Sequence, residues 1–541
     1  MNNFVDIVMP TETADGYYMN RNKGKVADFI YIDEDWYSKL LDPNTFYILG
    51  PKGSGKTLYA AYMCAEKRNN TVSRFHTIDV GDYGKLITMK IDNHLNFTDY
   101  LTMWKVILLQ KFLFGIQPDE ISFWGRSKNF QEIQDTISDY FGYDVSADSF
   151  NPITVIDSCD KQNEVTSYLH SQIANEMGAT TADLGARTEA KDKQACSKKI
   201  ERVVMSYTDT WMRAINEFRK VIEKITFKNN HYLFIDGLDV RPKEINSKEY
   251  SECIGALVRA IYDINTRLLG NINRKDTREF KIIALTRTDI FLNSDLVNVT
   301  SCISDNCVEL DWTYSNENEF MYSNLYKMVN RVLGWDGEST DYPVEKYFNF
   351  EIKKLSKRRP VKASMFIQRQ SRLRPRDVVV MMRFIQDECK KRGLSNPDSN
   401  VLSSQNLENK YSSYYADQIK SEMMFVYSSE EIKDIFQMVK TLGQEAFTEE
   451  DFKKAFEKYI SNNQKFTLLF PNYRSLLDKL YSLDLIGWSE KYKNQLKLHW
   501  HYREVKPIDE SYRMPWEQID IAEAVKFIIH RGVCKNILGS I

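Results

Sequence analysis

Thr45-Phe46-Tyr47-Ile48-Leu49-Gly50-Pro51-Lys52-Gly53-Ser54-Gly55-Lys56-Thr57 decides how this chain folds. Its first five residues form a continuous apolar, aromatic and β-branched run, the length of a strand buried on both faces of a parallel sheet. Asp42-Pro43-Asn44, just before it, is a turn signal that stops a short helix expected near Asp33 to Leu41. After the glycines, Leu58-Tyr59-Ala60-Ala61-Tyr62-Met63-Cys64-Ala65-Glu66-Lys67 holds good helix formers and no breaker. The expected order is strand, Gly-rich loop, helix.

A loop of this composition can turn successive backbone N–H groups onto anionic oxygens, and the helix behind it adds its positive end. Gly50, Gly53 and Gly55 give the backbone that freedom, with Pro51, Lys52 and Ser54 between them. Lys56 is placed to offset the charge of β- and γ-phosphates, and the Thr57 hydroxyl to ligate magnesium. The expected ligand is therefore a nucleoside triphosphate, ATP with Mg2+. The plainer alternative is a Gly-rich turn in a domain that binds nothing.

Hydrolysis needs a further acidic group at the end of a neighbouring strand. Tyr232-Leu233-Phe234-Ile235 is a second apolar run, and Asp236 and Asp239 follow it in Ile235-Asp236-Gly237-Leu238-Asp239. Asp236 is assigned to the metal and Asp239 to the attacking water, against the alternative that both cap the next helix. A third run, Phe280-Lys281-Ile282-Ile283-Ala284-Leu285, ends at Thr286-Arg287. There a hydroxyl and the Arg287 guanidinium could lie beside the γ-phosphate, unless Arg287 is simply a surface arginine.

Helical segments between these runs, notably Tyr250 to Leu269, suit right-handed crossovers, so the fold class is α/β with a parallel sheet. Roughly 180 residues separate the loop from the second run, far more than a crossover needs. A large helical insertion is expected at about 95–228. The chain divides on this reading into a leader at 1–44, a P-loop core at 45–305, a helical lid at 306–400 and a C-terminal domain at 401–541. Helices are expected over Glu317 to Leu333, Asp377 to Arg392, Glu449 to Tyr459 and Tyr473 to Leu483. Alternating residues in Leu485 to Trp488 and Leu496 to Tyr502 predict a hairpin after them, the order of a winged helix.

With 541 residues, 43% hydrophobic and 27% charged, the chain holds two to four packed domains. A formal net charge of -2 provides no global attraction to nucleic acid or to an anionic membrane. The eight cysteines are scattered, without a C-x-x-C pair, and read as reduced thiols of a cytoplasmic protein. Neither a signal peptide nor a membrane span is expected.

One local basic stretch stands out. Lys353, Lys354, Lys357, Arg358, Arg359, Lys362, Arg369, Arg372, Arg374 and Arg376 have almost no compensating acid. Pro375 at a first helical position would fix where Arg376 begins, so Arg376 or Arg374 could reach a nucleotide from the lid. Nucleic acid or a neighbouring subunit is the competing partner for Lys353 to Arg376.

Taken together, Gly50 to Thr57, Phe234-Ile235-Asp236-Gly237-Leu238-Asp239 and Ile282-Ile283-Ala284-Leu285-Thr286-Arg287 resemble the AAA+ related STAND class of P-loop ATPases, especially bacterial anti-phage defence ATPases. The small residue after the strand-end aspartate and the strand ending in Thr-Arg carry that resemblance. It extends more loosely to Val308-Glu309-Leu310-Asp311-Trp312, to Leu373-Arg374-Pro375-Arg376-Asp377 and to a C-terminal winged helix. The class often has an acidic residue after its second aspartate, where this chain has Val240. The resemblance thus implies a slow, switch-like ATPase that self-associates as a homo-oligomer and controls a separate effector protein. The alternative is a DNA-directed AAA+ ATPase, a loader or transposition-type regulator. Arg259, Arg267, Arg274 and Arg278 all stay open as the arginine finger.

Overall fold

The computed structural model describes residues 3–11, 14, 17, 26–78, 97–122, 126–141, 212–238, 241, 246–273, 278–292, 299–314, 317–352, 360–492, 495–504 and 526–539. Asp239, Val240, Arg274, residues 142–211 of the expected insertion and the cations from Lys353 to Arg359 lie outside the described residues. The chain divides into two compact units. One comprises Met1–Ser38, Gly50–Tyr62 and Glu309–Ile541, the other Lys39–Leu49 and Met63–Val308.

The unit containing Met63–Val308 is built on a five-stranded sheet of β1 (Tyr47–Leu49), β2 (Thr71–Thr77), β3 (Asn230–Asp236), β4 (Phe280–Thr286) and β5 (Cys307–Glu309), in the order β2-β3-β4-β1-β5. The pairs β1/β4, β2/β3 and β3/β4 are parallel. β4 is buried along its whole length, as its unbroken apolar run predicts. β2 and β5 were not expected. Thr71–Thr77 mixes polar and apolar residues because its far end is exposed, and three residues are too few for a pattern.

Lys281 is the exception inside β4. Its ammonium donates to the carbonyls of Leu40 (2.9 Å) and Asp42 (2.8 Å), at the end of helix Glu34–Leu41, and lies 4.3 Å from the Tyr232 ring centre. Carbonyls at a helix C-terminus are natural partners for a buried cation. Burial nevertheless pulls its pKa down to about 8, against the attraction of Glu279.

The helical insertion is present in its described parts, as helices Phe97–Phe114 and Arg126–Phe141 and helical residues 212–224. The segment expected over Tyr250 to Leu269 begins earlier. Asn246 accepts from Glu249 N (2.9 Å) and caps helix Ser247–Asp263, which continues as a π-helix over Ile264–Leu269. Asn265 in that wider turn holds the N–H and carbonyl of Ile282 at 2.9 and 2.8 Å, tying it to β4.

His231 on β3 makes this unit acid-sensitive. The ring is 1% exposed, packed among Phe112, Phe227 and Phe280, and its Nδ1 faces the Arg74 guanidinium at 3.2 Å. Burial and then Arg74 lower its pKa to about 3. Below its unfolded value near 6.5 the unfolded chain takes a proton that the folded chain refuses, so stability falls as pH drops from there. The expected slope is about 1.4 kcal/mol per pH unit. Urea midpoints of His231→Phe should lose that slope between about pH 6.5 and 5, where carboxylates scarcely titrate; equal slopes in both proteins would refute the assignment.

The other unit is mainly helical. Helices Asn324–Val332, Pro375–Arg392 and Gln405–Met423 share one core with the C-terminal residues, and the short pair β6 (Glu351–Ile352) and β7 (Val361–Lys362) is antiparallel. The helix expected from Glu317 is split, because Ser323 accepts from Tyr326 N (3.1 Å) and caps a fresh start after the 3-10 turn Glu317–Tyr322. Phe4 is fully buried against Tyr347 and Phe348, so the leader is anchored in this core and is not merely irregular.

Its C-terminal part joins β8 (Ala446–Phe447), β9 (Ile486–Tyr492), β10 (Gln495–His499) and β11 (Lys526–Ile529) in the order β10-β9-β11-β8. Helices Glu449–Asn462 and Tyr473–Ser482 precede the hairpin, which pairs Trp488 with His499. That is the winged-helix order, with β8 and β11 added. Among the described residues no helix is long and apolar enough to cross a membrane.

Candidate functional site

β1 leads straight into the Gly-rich loop, and the helix behind it starts at Lys56 and runs to Ala65. Gly50, Gly53 and Gly55 all have positive φ, at 155°, 88° and 95°. For Gly55 nothing lies within 4 Å of where a Cβ would be, so the backbone conformation alone demands glycine and leaves an open cradle beside the helix N-terminus. Such a cradle, with a lysine and a threonine at its rim, fits the phosphates of a nucleotide. Lys56 Nζ donates to the carbonyls of Gly50 (2.8 Å) and Pro51 (3.1 Å), while Trp312 Nε1 donates to the Ser54 carbonyl (2.7 Å). The loop's outer wall is thereby braced from the chain that follows β5.

Arg374 and Arg376 differ in what they do. Pro375 occupies the first position of helix Pro375–Arg392, and the Arg376 N–H donates to the Gly53 carbonyl at 3.2 Å. The Arg376 side chain runs alongside Gly53, its Cβ 3.1 Å from where a Gly53 Cβ would stand. Arg374 donates to the Lys52 carbonyl (3.3 Å) but is buried in ion pairs with Glu422 and Asp484. Arg372 is likewise buried, paired with Asp377 and Glu422. Arg372 and Arg374 therefore serve in buried ion pairs, a correction to counting them among the cations of Lys353 to Arg376 open to nucleic acid or a subunit, and to Arg374 as the one reaching a nucleotide.

On the other unit's sheet, the expected strand-end residues share the carboxyl edge. Leu49 is in register with Thr286, and Thr77 with Asp236. Asp236 accepts from the Gly237 N–H at 2.8 Å. Arg287 is buried and forms a bidentate pair with Asp289, so its charge is shared with that carboxylate. The core is an α/β P-loop fold.

Gly237 shows why a small residue must follow Asp236. Its φ is +86°, and an added Cβ would lie 2.2 Å from the Ile78 carbonyl oxygen, while Ile78 N donates to Asp236 O (2.9 Å). Gly237→Ala should cost about 2–4 kcal/mol, the sum of left-handed backbone strain and overpacking against main chain. A urea midpoint unchanged from the parent would show that this turn yields freely.

No family model matches the chain, and no curated protein is found similar to it. Among solved structures it is similar to the ORC2 protein of Aeropyrum pernix in its ADPNP–ADP complexes, at 9% identity over 93% of this chain and 94% of that one, with a TM-score of 0.33.

Sequence reasoning missed the residues that hold the loop from behind. Lys52 Nζ donates to the Ser421 hydroxyl, and Glu422 beside it takes both buried arginines. Both lie on helix Gln405–Met423, 369 residues along the chain from Lys52 in the case of Ser421, and no local pattern marks them. A buried acid on an otherwise mixed helix, opposite two arginines with only Asp377 near them in sequence, is the one available signal.

Proposed function

We propose that the chain is an ATP-dependent switch that binds ATP with Mg2+ in the loop Gly50 to Thr57, hydrolyses it slowly, self-associates and controls a separate effector protein. The observation that carries this reading is the run of positive-φ glycines opening onto Lys56 at a helix start. In this reading Thr57 and Asp236 hold the metal, which supplies positive charge to the phosphates. Lys56 supplies the second positive charge, and Arg287 and Arg376 are the arginines that answer to the γ-phosphate. Asp239 is kept as the group that orients water. A cytoplasmic place and a role in anti-phage defence rest on the motif resemblance.

Arg376 separates this reading from a DNA-directed ATPase. Its tie to Gly53 favours a nucleotide role, and the burial of Arg372 and Arg374 leaves fewer cations for phosphate backbone. Arg376→Ala is expected to change ATP turnover or ATP-dependent assembly by roughly tenfold, about 1.4 kcal/mol, with any DNA affinity intact. A triple alanine variant at Lys357, Arg358 and Arg359 should leave turnover and assembly alone. Loss of DNA binding in both, with ordinary ATPase rate and oligomer mass, overturns the proposal.

A further inference from the structure

Two cysteines meet where helix Val299–Asn306 gives way to β5. Cys307 is 2% exposed, whereas Cys302 is half-buried and open to small reagents. The Cys307 sulfur lies 3.5 Å from the Cys302 carbonyl oxygen. The neighbouring Cys307 side chain, and then the Arg259 guanidinium, hold the Cys302 thiol below its usual range, against burial and the Asp305 carboxylate. A half-buried thiol beside an arginine, with a second cysteine five residues on whose sulfur reaches its backbone, is the arrangement of a reactive cysteine and its resolving partner.

We propose that Cys302 and Cys307 are a redox modification site, forming a reversible disulfide in response to hydroperoxides. The Cys302 thiolate attacks the O–O bond, one oxygen stays on sulfur as sulfenic acid, and the other takes a proton and leaves as water from hydrogen peroxide or as the alcohol from an organic hydroperoxide. The Cys307 thiol gives up its proton and attacks that sulfur, the S–S bond forms, and the sulfenic oxygen departs as water. Two electrons pass from the two sulfurs to the peroxide. The bond closes a loop over Ile303-Ser304-Asp305-Asn306 and staples the helix end onto β5, beside β1 in the sheet. Cys389 offers a contrast, since burial pushes its thiol up to about 11 and leaves it inert.

The full-length protein, freshly reduced and then treated with hydrogen peroxide, tests this without reference to nucleotide. Thr288 to Lys327 contains both cysteines and no internal lysine or arginine, so trypsin releases them on one peptide. That peptide should lose the mass of two hydrogens and regain it with dithiothreitol. In Cys307→Ser a dimedone-trapped sulfenic acid should accumulate at Cys302, and Cys302→Ser should give neither product. A peptide that stays a dithiol while Cys64 or Cys534 oxidises overturns the proposal. So does wild-type protein that stops at sulfenic or sulfinic acid on Cys302.

Discussion

Replacing Lys56 with alanine should weaken ATP binding roughly 100-fold or more, because a charge-assisted contact to phosphate contributes about 1.5–3 kcal/mol and Lys56 is placed for more than one. Its ammonium already lies over the loop, donating to the carbonyls of Gly50 and Pro51. Two consequences follow for Lys56→Ala. The nucleotide loses its principal cation, and the loop loses two internal hydrogen bonds. Alanine is the best helix former at the first turn of Lys56–Ala65, so the fold itself should persist within about 1 kcal/mol. Calorimetric titration with Mg-ATP, beside a urea midpoint on the same sample, separates the two effects. Affinity equal to the parent's, in a variant of equal stability, would sink the proposal that this loop binds the triphosphate.

How much of this was legible beforehand depends on the range of the physics involved. The strand before the loop, the loop itself and the helix after it are coded within about twenty consecutive residues by apolar continuity, glycine and helix propensity. They were found in place, with the strand shortened to Tyr47–Leu49. β3 and β4 carry the same unbroken apolar signal. β2 hides because it mixes polar and apolar residues toward its less buried end, and β5 because it is three residues long. Leader residues looked irregular since scattered buried side chains such as Phe4 and Val26 anchor them, Phe4 through rings more than three hundred residues away in sequence. The ten-cation stretch looked like one surface because nearby sequence holds little acid beyond Asp377 at its end, whereas its partners Glu422 and Asp484 come from distant elements. Charge patterning along a chain reports local neighbours only, and burial can reverse its meaning.

Those distant acids lead to the largest expected loss of stability. One Glu422 oxygen accepts from Arg372 Nη1 at 2.8 Å and Arg374 Nη1 at 2.5 Å, deep in the unit. Arg372, 1% exposed, keeps Asp377 as its other partner (3.2 Å), and Arg374 keeps Asp484 at only 3.4 Å. Burial raises the Asp484 carboxyl's pKa, against the pull of His501 and the two arginines, and its 3.4 Å contact with Arg374 is the longer of that arginine's two ion pairs. Glu422→Ala therefore leaves two buried guanidinium groups with too little compensating charge and should cost about 3–5 kcal/mol. Glu422→Gln keeps an acceptor oxygen and should recover part of that cost through hydrogen bonding. Because Arg374 also donates to the Lys52 carbonyl, the damage should reach the loop, and ATP affinity should fall with stability in Glu422→Ala. A double-mutant cycle of Glu422→Ala with Arg374→Met measures the pairing directly, since removing both charges should cost less than the sum of the single losses. Strict additivity in that cycle would mean the cluster is a set of independent contacts and that Arg374 braces the loop without Glu422.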